Sequence, residues 1–235
     1  AASLSTAIFP RFSLFWSKRR NSRLSFVFNL GLEAILLISI PVIAILFFNS
    51  GSIVQLLFLR GSFTLEDSSR VSIAFIIYVF GILPQILSLY FIRLLLAIQK
   101  YRVLFLSSFI SFIVFVLLIF YFSSLFGEFG IPLASSVGFV LYSCILGWFI
   151  LRFVRSPLRY FLKLSFLLCL FASPGFVLGH LLMATYPSLI KILLSSFLVF
   201  TFYFILIVRF RPFAYTRGKA LSFVASLSKL ISLTR

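Results

Sequence analysis

Six apolar runs of roughly twenty residues or more, each closed by a short polar break, limit what this chain can fold into. They lie at about 26–48, 71–98, 103–126, 131–151, 164–186 and 189–208. A hydrocarbon core of about 30 Å is crossed by roughly 20 helical residues, so each run suffices for one passage. Membrane barrel strands would alternate apolar and polar residues, and these runs do not. Lipid also demands that a spanning backbone close its own hydrogen bonds, which an α-helix does alone. Composition agrees: the chain is 62% hydrophobic and 11% charged, with a mean hydropathy of +1.20, against about 45–50% and 25% in a soluble domain. The expected fold is all-α and integral to a membrane, with six full transmembrane helices preceded by the end of an earlier one. The stretch AASLSTAIFP is too short to span, and without an initiator Met or a signal peptide residue 1 reads as an internal position of a longer protein.

The charge distribution predicts how these helices thread. Arg11, Lys18, Arg19, Arg20 and Arg23 precede the first run, and Lys100 and Arg102 separate the second from the third. Arg152, Arg155, Arg159 and Lys163 separate the fourth from the fifth, and Arg209, Arg211, Arg217, Lys219, Lys229 and Arg235 follow the sixth. These breaks fall on one side of an alternating path, while Arg60, Arg70 and Lys191 fall on the other with Glu66, Asp67 and Glu128. Basic residues are retained on the cytoplasmic side, so that side holds the carboxy terminus. The net charge of +17 is then a topology signal and no reason to expect nucleic acid. Anionic lipid headgroups are the expected partners of WSKRRNSR and RFRPFAYTRGK, at roughly 1 kcal/mol per basic residue.

The census of reactive residues argues against an enzyme. One histidine and four separated acids assemble no nucleophile with its base and no acid pair. No metal or other cofactor is expected. Cys144 and Cys169 lack metal or redox spacing and read as small buried hydrophobes, and His180 reads as an interfacial or satisfied residue. The serines read as helix back-bonding groups or as small residues at close helix contacts.

Charge within the bilayer is the better lead. Glu33, in NLGLEAILLISIP, falls inside the first run, with Asn29 one turn earlier on the same face. An acid at such depth costs about 2.5–3.5 kcal/mol on insertion scales. It either snorkels toward Arg23 or faces a polar cavity. Arg93, near the cytoplasmic end of the second run, poses the same choice. Pro84, with Gly81 nearby, is expected to kink the second span and so is a candidate hinge; Pro41 and Pro174 carry the same ambiguity.

Between the first two runs stands FLRGSFTLEDSSR. A short apolar helix precedes it, Gly61 is expected to end that helix, and Thr64 with Asp67 forms a capping signal for the next. Glu66 and Asp67 then favour the positive end of the helix dipole. Arg60 is left to meet a headgroup or one of those acids.

The same segment carries a resemblance. Phe58-Leu59-Arg60-Gly61-Ser62-Phe63-Thr64, followed by Glu66-Asp67, resembles the LF-x-RG-x-FT-x-x-D element of the MurJ/MviN lipid II flippases, within the multidrug/oligosaccharidyl-lipid/polysaccharide exporter superfamily. In family order, Phe9-Pro10-Arg11-Phe12-Ser13 resembles LPRLS, Ala97-Ile98-Gln99 with Arg102 resembles A-L-Q-D-T-R, and Gly127-x-x-Gly130-Ile131-x-Leu133-Ala134-x-Ser136 resembles GxxGLALATS. The resemblance covers residues 1–155; beyond them only hydropathy matches. Leu96, Lys100 and Leu104 depart from the family pattern in the second of these loops.

The resemblance implies the carboxy-terminal lobe of a two-lobe flippase. Residues 1–155 would hold the end of family helix eight and helices nine to twelve, 156–210 an additional pair, thirteen and fourteen, and 211–235 a basic cytoplasmic tail. It implies translocation of lipid II, an undecaprenyl-pyrophosphate saccharide, across the bacterial inner membrane by alternating access, with an amino-terminal lobe of the same protein as partner. An exporter of another lipid-linked saccharide and a non-transporting membrane scaffold are the alternatives. No substrate-binding residue is carried over from the family. The candidate cavity or gating residues are Glu33, Asn29, Arg93 and Pro84, and the motif residues Arg60, Gly61 and Phe63 are expected to shape the outer loop.

Overall fold

The fold is described by a computed structural model covering residue 10 and residues 12–18, 21–154 and 188–210. Every regular element among these residues is helical. After a short helical stretch at 12–17 come α1 (Asn21–Phe48), α2 (Ser50–Phe58), α3 (Leu65–Ala97), α4 (Tyr101–Phe126), a 3-10 turn (Gly127–Phe129), α5 (Gly130–Ile150) and α6 (Ser188–Phe210). The expected span at 164–186, Cys169, His180, Pro174 and the tail 211–235 lie outside the described residues. Five of the six expected spans correspond to α1, α3, α4, α5 and α6, and α2 is the expected short helix.

Pairwise contacts fix the directions of the helices. Tyr90 Oη donates to Phe28 O at 2.9 Å, and the Phe47 and Phe80 rings lie 5.3 Å apart, so α1 and α3 run antiparallel. Ser108 pairs with Tyr142 at 2.9 Å, and Phe115 lies against Gly138, so α4 and α5 are antiparallel too. Ser136 Oγ reaches Ile77 O at 2.6 Å while Gly147 faces Phe91, which makes α3 and α5 parallel. Tyr203 Oη donates to Leu37 O at 3.0 Å and Ser195 Oγ to Asn49 Oδ1 at 3.0 Å, setting α6 antiparallel to α1. This is the alternation that the charge pattern predicts. At one end Trp16 packs edge-on to Phe153, and Lys100 Nζ sits 5.4 Å above the same ring. At the other, Arg70 reaches Glu128 at 3.9 Å.

Lipid supplies no hydrophobic driving force between helices, so close approach at small residues matters more than in water. A Cβ on Gly81 would meet Ser136 Cα at 3.0 Å, so α3 and α5 touch backbone to backbone there. Gly81 therefore serves this contact, and α3 passes through Pro84 without interruption. Phe12, Phe28 and Tyr90 meet ring to ring within the core, with Phe28 and Tyr90 stacked at 5.2 Å. α4 instead exposes Phe105, Phe109, Phe112 and Phe120, as suits a helix facing acyl chains. Cys144, expected to be buried, lies exposed on α5; a small thiol on a lipid-facing surface loses nothing by it.

The turns show why their sequences are as they are. α3 ends at Ile98 with Gln99 left-handed at φ 59°, Lys100 N bonding Leu95 O at 3.0 Å and Gln99 N bonding Leu96 O at 3.1 Å. That is a Schellman closure with glutamine where glycine is usual. Gln99→Val should destabilise the full-length protein by about 1–2 kcal/mol, since a β-branched residue resists the left-handed region. Gln99→Gly should not, and thermal unfolding in detergent compares the two.

Candidate functional site

α1 is buried on nearly all sides through its first half, which is unusual for a membrane helix and marks it as the centre of this bundle. Along it Ser25, Asn29 and Glu33 recur every four residues, a spacing that turns each about 40° from the last and so places all three on one face. All are buried, Asn29 fully and Glu33 at 3% exposure. Each interacts with a partner within the protein. Glu33 stands twelve positions after Asn21, about 18 Å along the axis. Its side chain is buried within the protein, whereas Arg23 is exposed.

The other candidates do not converge on this stripe. Arg93 and Pro84 are nine positions apart on α3 and so face opposite sides of it. Arg93 is half-buried four residues before the helix end, toward the basic end of the bundle. Pro84 O accepts a bond from Ser88 Oγ at 2.9 Å, one turn further along the helix. Tyr90, which the sequence did not single out, lies closer: its hydroxyl reaches the carbonyl of Phe28, the residue before Asn29, and joins α3 to the polar stripe's own helix. Among the described residues no three His, Cys, Asp or Glu side chains gather to hold a metal.

Beyond the far end of α1 the chain turns through Asn49, which is buried and tied to Ser195 of α6. α2 follows, and then the segment with Arg60, Gly61 and Phe63. Gly61 has φ +64° with open space around it, so its identity answers to backbone conformation and not to packing. Phe63 meets Phe58 with ring centroids 6.1 Å apart, closing the turn. Thr64 and Asp67 form the expected reciprocal capping box: Asp67 N donates to Thr64 Oγ1 at 3.2 Å and Thr64 N to Asp67 Oδ2 at 2.9 Å. Thr64→Ala should cost about 1 kcal/mol, read from thermal unfolding of the full-length protein. The described ion pairs at this end are made by Arg70, to Glu66 at 2.9 Å and Glu128 at 3.9 Å, and Arg60 takes part in neither.

The geometry therefore provides a bundle of helices alternating in direction, with a buried polar stripe on its most buried helix and a capped turn at the end opposite Lys18, Lys100 and Arg152. The family described as "Lipid II flippase MurJ" matches residues 1–208, and so extends through the segment beyond 155 where the sequence offered hydropathy alone. A solved structure, "Lipid II flippase MurJ, inward closed conformation", has the same fold with a TM-score of 0.70 at 24% identity. The match covers 88% of this chain and 43% of the solved one; the chain thus spans less than half the length of that relative. No curated protein sequence matches.

Proposed function

The chain belongs to the MurJ lipid II flippase family, and from that membership we propose that it forms the carboxy-terminal lobe of a carrier that moves lipid II across the bacterial inner membrane. The family match over residues 1–208 carries this reading. The fold supports it, because a bundle of crossing helices with a polar stripe on its innermost member suits a carrier better than a catalyst.

A pyrophosphate headgroup cannot enter hydrocarbon bare, so the protein must line a polar route while the polyprenyl tail stays in lipid. In this reading the amino-terminal lobe faces this one across a central cavity, and the two alternate between inward and outward openings. Asn29 and Glu33 contribute to the route, Arg93 lies toward its cytoplasmic mouth, and Pro84 supplies a site of bending in α3. Positive charge at Lys18, Lys100 and Arg152 faces the cytoplasm and its anionic lipids.

Depletion of the full-length protein, in cells lacking any compensating flippase, tests this reading. Lipid II reaching the outer leaflet, measured by an externally added lipid II-cleaving enzyme, should fall and the cells should lyse. Delivery continuing at the undepleted level would refute it.

A further inference from the structure

At the end of the bundle opposite Lys18, Lys100 and Arg152, one turn combines features that membrane carriers need not have. Leu56, Leu57, Phe58, Leu59 and Leu65 are all large, apolar and 40–67% exposed, and they flank Arg60 on both sides. Arg60 is itself exposed. The acids nearby are already engaged: Glu66 and Glu128 hold Arg70, and Asp67 holds Thr64. Arg60 takes part in no ion pair among the described residues. Among the described residues, a guanidinium without an ionic partner thus stands within an exposed apolar surface.

Its depth follows from helix length. α3 has 33 residues, about 50 Å at 1.5 Å per residue, which exceeds a hydrocarbon core of about 30 Å and slightly exceeds the roughly 40–45 Å of a bilayer with its headgroups. The first turn of α3, and the Arg60 turn beside it, therefore reach the headgroup layer. The turn is preorganised there by Gly61 at φ +64°, by the Phe58–Phe63 ring contact and by Arg60 N bonding Phe58 O at 2.7 Å.

We propose that this turn is a docking site for an anionic phospholipid, whose phosphate pairs with Arg60 and whose acyl chains cover the apolar side chains on either side. Charge complementarity selects the occupant. A guanidinium binds a phosphate with two parallel hydrogen bonds, and only an anion carried on an apolar body satisfies both the cation and its surroundings. Free phosphate would leave the leucines and Phe58 in water. The site is independent of transport and would hold the helix ends at a fixed depth.

Photocrosslinking tests the site directly. The full-length protein, with the exposed Leu57 replaced by p-benzoylphenylalanine, is reconstituted in vesicles of equimolar phosphatidylglycerol and phosphatidylcholine, irradiated and weighed by mass spectrometry. Phosphatidylglycerol should be captured in about fivefold excess, the ratio matching roughly 1 kcal/mol for one basic residue at an anionic surface. Arg60→Gln should bring the ratio to near one while total lipid capture persists, Arg60→Lys should keep part of the excess, and added inorganic phosphate should leave the ratio unchanged. A ratio near one in the parent, competition by inorganic phosphate, or crosslinks to another segment of the protein in place of lipid would each overturn the proposal. If Arg60→Gln loses all capture through misfolding, the parent ratio and Arg60→Lys decide.

Discussion

Gly130→Ala is expected to remove most of the folded protein from the membrane. A Cβ at this position would lie 2.4 Å from the carbonyl carbon and oxygen of Phe122 and from Ser123 N. These are backbone atoms of α4, so no side-chain rotation relieves the overlap. Either α5 moves away from α4 or the 3-10 turn between them breaks. Overpacking typically costs 1–3 kcal/mol where side chains can adjust; here the backbone must move, and about 3 kcal/mol or more is expected. Gly127, three residues earlier, is required for a different reason, since its φ of +55° and ψ of −123° suit glycine alone. The spacing Gly127-x-x-Gly130 thus combines one conformational and one steric demand. Gly51→Ala is the control: a Cβ there meets nothing within 4 Å, inside a helix, and should be neutral or slightly stabilising. Membrane abundance and thermal unfolding of the full-length variants measure the contrast.

Glu33→Gln is expected to lower lipid II translocation about tenfold or more, equal to roughly 1.4 kcal/mol on the limiting step, with membrane abundance unchanged. Glutamine preserves the volume and most of the hydrogen-bonding capacity of the side chain, so the packing of α1 should survive. What it removes is the ionisable oxygen pair. An acid held inside the bilayer region is costly, and a merely structural polar contact could be met by a neutral amide. Unaltered flux would return Glu33 to a structural role. A fall in abundance matching the fall in flux would do the same.

Local signals in this chain were readable because their causes are local. Thr64 and Asp67 are three residues apart and bond each other, and the spacing alone announced the helix start. Gly61 was expected to end α2 and takes positive φ in the turn just beyond it. Five of the spans followed from the thickness of a bilayer, and the alternating directions of the described helices agree with where lysine and arginine fall. Ser25, by contrast, was passed over although its four-residue spacing to Asn29 and Glu33 was in plain view.

Other features needed the third dimension. Gly81 stood near Pro84 and so read as part of a kink, yet its partner is Ser136, 55 residues away. Nothing adjacent to Gly81 encodes that approach. Tyr90 is one aromatic residue among many in the sequence, and its bond to Phe28 O depends on how α1 and α3 cross. Gln99 occupies a left-handed position where glycine or asparagine would have advertised the turn. Arg60 was expected to choose between a headgroup and a neighbouring acid, and the competition went to Arg70, which is one helical turn from Glu66 and faces Glu128 across the bundle end.

The central claim is that the helix ends bearing Lys18, Lys100 and Arg152 face the cytoplasm while those bearing Arg60, Arg70 and Glu128 face outward. Single cysteines at Ser62 and at Gln99, in an otherwise cysteine-free full-length protein, report on it when intact cells are treated with a membrane-impermeant maleimide. Labelling at Ser62→Cys in intact cells, with Gln99→Cys labelled only after the membrane is opened, is the predicted result. Labelling of both positions in intact cells, or of Gln99→Cys alone, would contradict it.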